Sequence, residues 1–337
     1  MKLIVQVPCL NEETTLPMVF ENMPRHIPGV DSVEFLIIDD GSQDRTIEVA
    51  RQLGVHHVVR HTRNMGLGQS FHDGVLKALE LGADIVVNTD GDNQYPSARI
   101  PDLIQPILDG RADIVIADRQ TDTIEHFSPL KKRLQKVGSR VVSIAADTEM
   151  PDAASGFRAY SREALLRLNP VTRFSYSMET IIQAGNKRLA ISSIPVETNP
   201  KTRESRLFNR MGEHVVKSAV TIIRAYIMYK PMTIFITAAS VLFAAALIPF
   251  IRFLILYFFV ANSGGARHIQ SLVVGSVLMI VAFLSLALGV IADLIRINRV
   301  LIEDSLELQK RERFTSTVPD AGNLLPSFSC DTDADHP

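Results

Sequence analysis

Five short runs of β-forming residues, each ending in a polar cluster and each followed by a helix-like segment, constrain this chain more than any other feature. They are LIVQVP from Leu3, VEFLIID from Val33, HHVVRH from His56, DIVVNTD from Asp84 and ADIVIADR from Ala112. Between the first two, Thr14 and Thr15 followed by Leu16 and Pro17 mark a helix start, because proline is tolerated in a first turn. TIEVARQLG and GQSFHDGVLKALELG read as helices closed by Gly54 and Gly82. Strands that alternate with helices predict an α/β fold, with a mostly parallel sheet covered on both faces. Ligands of such sheets bind beyond the carboxyl ends of the strands. Asp39/Asp40, Asp90/Asp92 and Asp118/Arg119 all fall at strand ends, so they are expected to share one edge and form one site.

From about Ser128 to Asn199 the pattern is less regular. PLKKRLQKVGSRVVSIAA reads as a helix with a basic face, SGFRAYSREALLRL as strand then helix, YSMETIIQAGNKRL as a helix and AISSIPVET as a last strand. The acceptor side of the site is expected here. Residues 207–230 carry Arg210, Lys217, Arg224 and Lys230 among apolar residues, the pattern of a helix lying in a membrane interface.

Apolar residues make up 46% of the 337, and the excess sits after Pro231. Residues 231–260 and 269–295 are each long enough to cross a bilayer, which takes roughly 20 apolar residues. Arg224 and Lys230 flank one side of the pair and Arg296 and Arg299 the other, while the link ANSGGARH holds only Arg267. The positive-inside bias therefore puts both flanks, and the domain of residues 1–206, in the cytoplasm. Pairing of the membrane helices allows a homo-oligomer. Residues 314–337, rich in Ser, Pro, Asp and Gly, read as a disordered tail. The net charge of −2 gives no basic field for nucleic acid. Cys9 and Cys330 imply no disulfide framework, and the apolar run Leu3–Val7 reads as a strand rather than a signal peptide.

An Asp-x-Asp pair alone is a weak signal, since DTDAD in the tail repeats it with no strand before it. Asp90 and Asp92 differ in context. A strand end is a rigid support, and two carboxylates there can hold one hard divalent cation, Mg2+ or Mn2+, which removes their mutual repulsion. Such a cation leaves positions open for the oxygens of a nucleotide diphosphate and neutralises charge as that group leaves. The alternative is a pair of exposed loop carboxylates. His56, His57 and His61 show no metal-ligand pattern, and GLGQS at Gly66–Ser70 is too short for a phosphate loop.

PCLNEE, IIDDGSQDRT, DGDNQYP and IADR, in that order after successive strands, resemble a family 2 glycosyltransferase of the GT-A fold. DAASGFRAYSREAL, YSMETIIQAG and TRESRL are similar to the polyprenyl-phosphate glycosyltransferases, the dolichyl-phosphate mannose synthase group and its bacterial glucosyl relatives. The resemblance covers about residues 3–210 and implies a reaction: inverting transfer of a hexose from a GDP- or UDP-sugar to polyprenyl phosphate. It implies that Pro8, Glu12, Ile38 and Asp40 line the base and ribose pocket. Asp90, Gly91 and Asp92 would hold diphosphate and metal, with Gln94 as a further ligand. Arg119 would contact donor phosphate or sugar, and Asp152 and Glu179 match acidic positions on the sugar and acceptor side. Arg206 falls near phosphate, and the cluster of Lys201, Arg203 and Arg206 suits an anionic lipid head. Two positions depart from the group: Leu10 stands where an aromatic often stacks on the base, and Pro200 where some members have Arg. A phosphate acceptor needs no strong general base; a hydroxyl acceptor, the rival reading, would need one, and Asp152 is the nearest. A processive polysaccharide synthase of this fold would carry a Gln-x-x-Arg-Trp element, and the chain has no Trp. A non-catalytic membrane adaptor is the reading from outside enzymes.

Overall fold

The computed structural model describes residues 1–120, 129–170, 176–200, 227–259 and 269–315, with Val220 and Arg224. Its centre is a seven-stranded sheet of order β3-β2-β1-β4-β6-β5-β7. The strands are β1 (Lys2–Cys9), β2 (Ser32–Asp39), β3 (His57–Arg60), β4 (Ile85–Asn88), β5 (Ile114–Asp118), β6 (Arg158–Ser161) and β7 (Ile191–Pro195). All pairings are parallel except those of β6, which runs antiparallel to both β4 and β5. The alternation of apolar residues along the strands explains the two layers beneath the helices. Ile4, Leu36, Ile38, Val86, Ile114 and Ile116 feed one core, and Leu3, Val5, Phe35, Ile37, Val87 and Val115 the other. Each such side chain contributes about 1.5–3 kcal/mol on burial, so both faces must be covered. The first face is covered by α3 (Leu67–Glu80), α5 (Pro129–Ala146), α6 (Arg162–Arg167) and α7 (Tyr176–Asn186), the second by α1 (Leu16–Glu21), α2 (Thr46–Gln52) and α4 (Ile100–Leu108).

The strand order changes direction between β1 and β4, because β2 and β3 lie on one side of β1 and β4 on the other. Loops leaving β1 and β4 therefore diverge and open a crevice at the topological switch point. Because β6 is reversed, the loop that enters it starts at this same edge. That brings residues 152–157 beside the loop leaving β4, which a fully parallel sheet would not do.

Two helices are long and apolar enough to cross a membrane: α8 (Pro231–Phe259) and α9 (Ile269–Thr315). Only 6% and 17% of their most apolar windows are buried, which separates them from core helices. They pack closely at glycines: a Cβ on Gly275 would lie 2.9 Å from the Phe250 ring, and one on Gly289 2.8 Å from Phe235 Cβ. Helix α9 does not stop at the expected Ile295. Its charged half continues to Thr315 along the sheet domain, because partners there offset the loss of water. Lys310 Nζ donates to the carbonyl of Leu168 at 2.7 Å, just past the end of α6, and Arg162 Nη2 donates to the Phe314 carbonyl at 2.9 Å. Phe314 itself is 1% exposed and joins the core under α3 and α7. Phe314 and Thr315 thus belong to a helix rather than to the expected tail, whose remaining residues lie outside the described ones. So does most of the expected interfacial helix; Val220, Arg224 and residues 227–229 of it are helical.

Candidate active site

The loops after β1 and β2 are rich in Asn, Asp, Ser and Thr, whose short side chains hydrogen-bond to neighbouring backbone. Here they lock onto each other. Asn11 N donates to Ser42 Oγ at 2.8 Å, Glu12 N to Thr46 Oγ1 at 2.8 Å and Gln43 N to Asn11 Oδ1 at 2.8 Å. The Asp40 carboxylate accepts from the amides of Met65 (2.7 Å) and Gly66 (2.9 Å) and faces His61 Nδ1 at 2.8 Å. Asp40 therefore shapes the floor of the crevice by holding the 61–66 loop. Pro8 and Glu12 lie at the crevice wall, both buried. The Ile38 side chain does not: it is fully buried in the core against Gly74. Only the backbone of Ile38 is left for the expected pocket role.

Gly91 sits where the tips of β1 and β4 nearly touch: a Cβ there would lie 3.2 Å from Cys9 Sγ and 3.3 Å from the Pro8 carbonyl oxygen. Asp90 is approached from the other side by Gly156, whose added Cβ would be 2.9 Å from Asp90 Oδ2. Behind it runs a buried polar network. Gln6 Nε2 donates to Asn88 Oδ1 at 2.9 Å, and Asn88 Nδ2 donates to the Gly156 carbonyl and the Tyr176 hydroxyl, each at 2.9 Å. The Gly156 amide donates to the Tyr95 hydroxyl at 3.0 Å. Asp92 Oδ1 accepts from Gln94 N at 3.0 Å, and Asn199, past β7, fixes the same turn by donating to the carbonyls of Asn93 (3.0 Å) and Gln94 (2.9 Å).

Arg119 and Asp152 form a buried bidentate pair, 8% and 3% exposed, with Nε–Oδ2 at 2.7 Å and Nη2–Oδ1 at 3.0 Å. Burial raises the carboxyl pKa of Asp152, but Arg119 outweighs it and holds the group below the usual carboxylate range. Burial also works against the Arg119 cation, yet Tyr95, Asp152 and Asp90 together raise its pKa. Burial and then the nearby Asp90 charge push the Tyr176 phenol up. Asp90 is thus in electrostatic reach of both Arg119 and Tyr176. Asp90, Asp92, Arg119, Asp152 and Asp40 converge at one sheet edge.

Glu179 meets α9. One turn beyond Tyr176 on α7, it accepts from Arg299 Nη2 of α9 at 3.2 Å and is 2% exposed. Arg299 in turn lines a cleft of about 430 Å³ between α7 and α9 that includes Lys187, Tyr229 and Glu303, none of them in the strand-end cluster. Lys201, Arg203 and Arg206 lie outside the described residues. Sequence reasoning missed Arg158, the largest fully buried side chain, which donates to the carbonyls of Ser155 (2.8 Å), Ala153 (2.9 Å) and Ser177 (2.6 Å). It also missed Tyr95, Gly156, Tyr176 and Asn199. The one signal for Arg158 was a charged residue inside an otherwise apolar strand pattern.

Among the described residues no group of three or more His, Cys, Asp or Glu is placed to hold a metal. Asp90 and Asp92 offer two hard oxygen donors at an open edge. That set fits Mg2+ or Mn2+, which commonly take one or two carboxylates and draw their other ligands from phosphate and water.

An open, mostly parallel sheet that presents an acidic pair beside a buried arginine at its switch point is the arrangement of a GT-A-type fold. The family model for glycosyl transferase family 2 matches residues 4–168. Over 213 residues the chain is 30% identical to the UDP-N-acetylglucosamine–dolichyl-phosphate N-acetylglucosaminyltransferase of Methanococcus voltae, covering 57% of this chain and 83% of that protein. Over 217 residues it is 31% identical to the dolichol-phosphate mannosyltransferase of Pyrococcus furiosus, covering 61% and 59%. The chain belongs to glycosyl transferase family 2, and it resembles the polyprenyl-phosphate members. Its fold is shared with the glucosyl-3-phosphoglycerate synthase of Mycobacterium tuberculosis, solved with Mn2+, UDP-glucose and phosphoglyceric acid (TM-score 0.50, 24% identity, covering 66% of this chain and 79% of that one).

Proposed function

We propose that this glycosyltransferase moves a hexose from a nucleotide-diphosphate sugar to polyprenyl phosphate at the cytoplasmic face of the membrane, with inversion at the anomeric carbon. The observation that carries it is the electrostatic proximity of Asp90 to the buried Arg119–Asp152 pair at the switch point, in a chain that also has two membrane-length helices. The activities of the Methanococcus and Pyrococcus relatives support the lipid phosphate as acceptor. Asp90 and Asp92, with Gln94, would hold Mg2+ or Mn2+. When bound, that ion supplies a positive charge that stabilises the departing diphosphate. Arg119, a permanent cation only 8% exposed, strengthens the same end of the site. Asp152 fixes the plane of the Arg119 fork. Pro8, Glu12, Asp40 and Gly91 shape the nucleotide crevice, and Lys201, Arg203 and Arg206 are proposed for the acceptor phosphate. Two phosphate-bearing reactants need positioning more than proton transfer.

Transfer to a hydroxyl, with Asp152 as base, is the weaker reading, since both its oxygens are held by Arg119 and its pKa is lowered. The test is transfer in reconstituted vesicles with polyprenyl phosphate and a panel of UDP- and GDP-sugars. Turnover is expected with one donor class, to be lost on chelation and restored by Mn2+. Asp92→Ala is expected to lower it at least about 100-fold without loss of folding. Unchanged turnover in that variant would overturn the metal assignment, and no metal-dependent turnover with any donor would favour an adaptor.

A further inference from the structure

Helix α5 has one face that the sheet domain does not use. Lys136, Val137, Arg140 and Ile144 follow one another at helical spacing and are all exposed, Val137 at 61% and Ile144 at 53%. The opposite face, with Val142, Ala145 and Ala146, is buried. Branched apolar residues between cations suit neither open water nor a dry core; they suit a lipid headgroup layer. Position selects the occupant. Lys230, the residue before α8 enters its apolar run, donates from Nζ to the carbonyl of Ile144 at 2.8 Å. The end of this stripe is therefore tied to the point where the chain enters the bilayer. The described exposed residues leading to that point, Val220, Arg224 and Ile227, repeat the same mixture at helical spacing.

We infer that the Lys136–Ile144 face of α5 lies on the cytoplasmic leaflet and binds anionic lipid headgroups, so that the bilayer braces one wall of the active site. The bracing follows from the helix's other face. Ser139 Oγ accepts from Ala153 N at 3.2 Å, and Ser143 Oγ accepts from Met150 N at 3.0 Å. These bonds hold the loop that carries Asp152, the partner of Arg119. A helix pressed by lipid on one side thus sets the Arg119–Asp152 pair on the other. Val137, Arg140 and Ile144 act as positioning residues and touch no donor.

The chain has no tryptophan, so a single one is a clean reporter. Full-length Ile144→Trp and Val137→Trp, reconstituted in vesicles, are expected to emit to the blue and to be quenched at least about twofold by brominated lipid. Met18→Trp, on exposed α1 (47%), is expected to stay unquenched. Replacing neutral phosphatidylcholine by 30% phosphatidylserine should deepen the quenching, and Lys136→Glu with Arg140→Glu should abolish that gain, since each charge near the surface is worth about fivefold in lipid affinity. Quenching no stronger than at Met18→Trp overturns the inference. So does a blue emission in detergent that brominated lipid leaves untouched, which would mean that a second copy or another protein covers the face. The activity arm rests on the proposed function: Ile144→Glu is expected to lower transfer to vesicle-borne acceptor about tenfold with nucleotide-sugar affinity unchanged. Equal loss of both would make α5 merely structural. If wild type shows no transfer, the proposed function falls while the quenching result still decides the membrane contact.

Discussion

Asp152 is where charge and burial are in closest balance. Its carboxylate is balanced by the one guanidinium of Arg119, helped by the amides of Arg119 (3.3 Å) and Ala154 (3.2 Å), and the two side chains together are nearly dry. Removing one partner of such a pair strands the other, which costs about 3–5 kcal/mol. Asp152→Asn is therefore expected to destabilise by roughly that amount near neutral pH, read as a fall in the denaturation midpoint of detergent-solubilised protein. The sign with pH follows from the lowered folded-state pKa. The pair's contribution is full above the unfolded value of about 3.9 and is lost as pH falls through the folded one. The gap between wild type and variant should thus be constant from pH 6 to 8 and narrow below pH 4. A gap that widened on acidification would mean that Asp152 is protonated in the native state. Turnover should show no limb from this group between pH 5 and 8.

At the scale of elements, two glycines separate activity from stability. Gly156 precedes β6 and lets its loop meet Asp90, a side chain; Gly185 on α7 lets that helix meet the carbonyl of Ala146 on α5, which is backbone. A methyl at 156 pushes on a carboxylate that can turn, while one at 185 collides with an oxygen that cannot. Gly156→Ala is expected to cut turnover tenfold or more and to cost under about 1.5 kcal/mol of stability. Gly185→Ala is expected to cost about 1–3 kcal/mol and to leave the remaining folded enzyme active. Kinetics beside thermal melts decide it; the reverse pattern would place the functional loop elsewhere. Neither glycine stood out in the sequence, and the reason is general. Strand runs, helix caps and polar strand ends are local signals, so all seven strands and the Asp40, Asp90 and Arg119 edge were legible. The reversal of β6 is a pairing between distant segments, and with it came Gly156 and the Arg119–Asp152 partnership. Arg158 was hidden for the opposite reason: a charged residue in a strand reads as exposed, and only the fold reveals the three carbonyls that satisfy it. Ile38 was assigned to a pocket by resemblance, and strand alternation turned its side chain into the core.

At the scale of the whole molecule, the two membrane-length helices and the sheet domain are one packed body rather than a domain on a leash. Composition hid this, because the charged residues after Ile295 ended the apolar run without ending the helix. The extension of α9 reaches back to Phe314, which enters the same core as Phe71 and Tyr176, while Arg311 pairs with Glu163 at the rim. The two kinds of contact should weigh very differently. Rim ion pairs, both partners more than a third exposed, are worth about 0–1 kcal/mol, whereas deleting a buried phenyl ring costs about 3–5 kcal/mol. Arg311→Glu is therefore expected to leave the melting temperature nearly unchanged, and Phe314→Ala to lower it by several degrees. Because Phe314 shares its core with Tyr176, whose hydroxyl accepts from Asn88 just before Asp90, the loss should reach the site. Hydrogen exchange should quicken in α7 and α6 of Phe314→Ala and not in α1 or α2, whose core lies on the other face. Exchange that rose evenly over both faces would mean that the α9 extension stabilises the domain globally. Exchange and melting that did not change at all would mean that it only rests on the surface, and that the sheet domain holds its own core without α9.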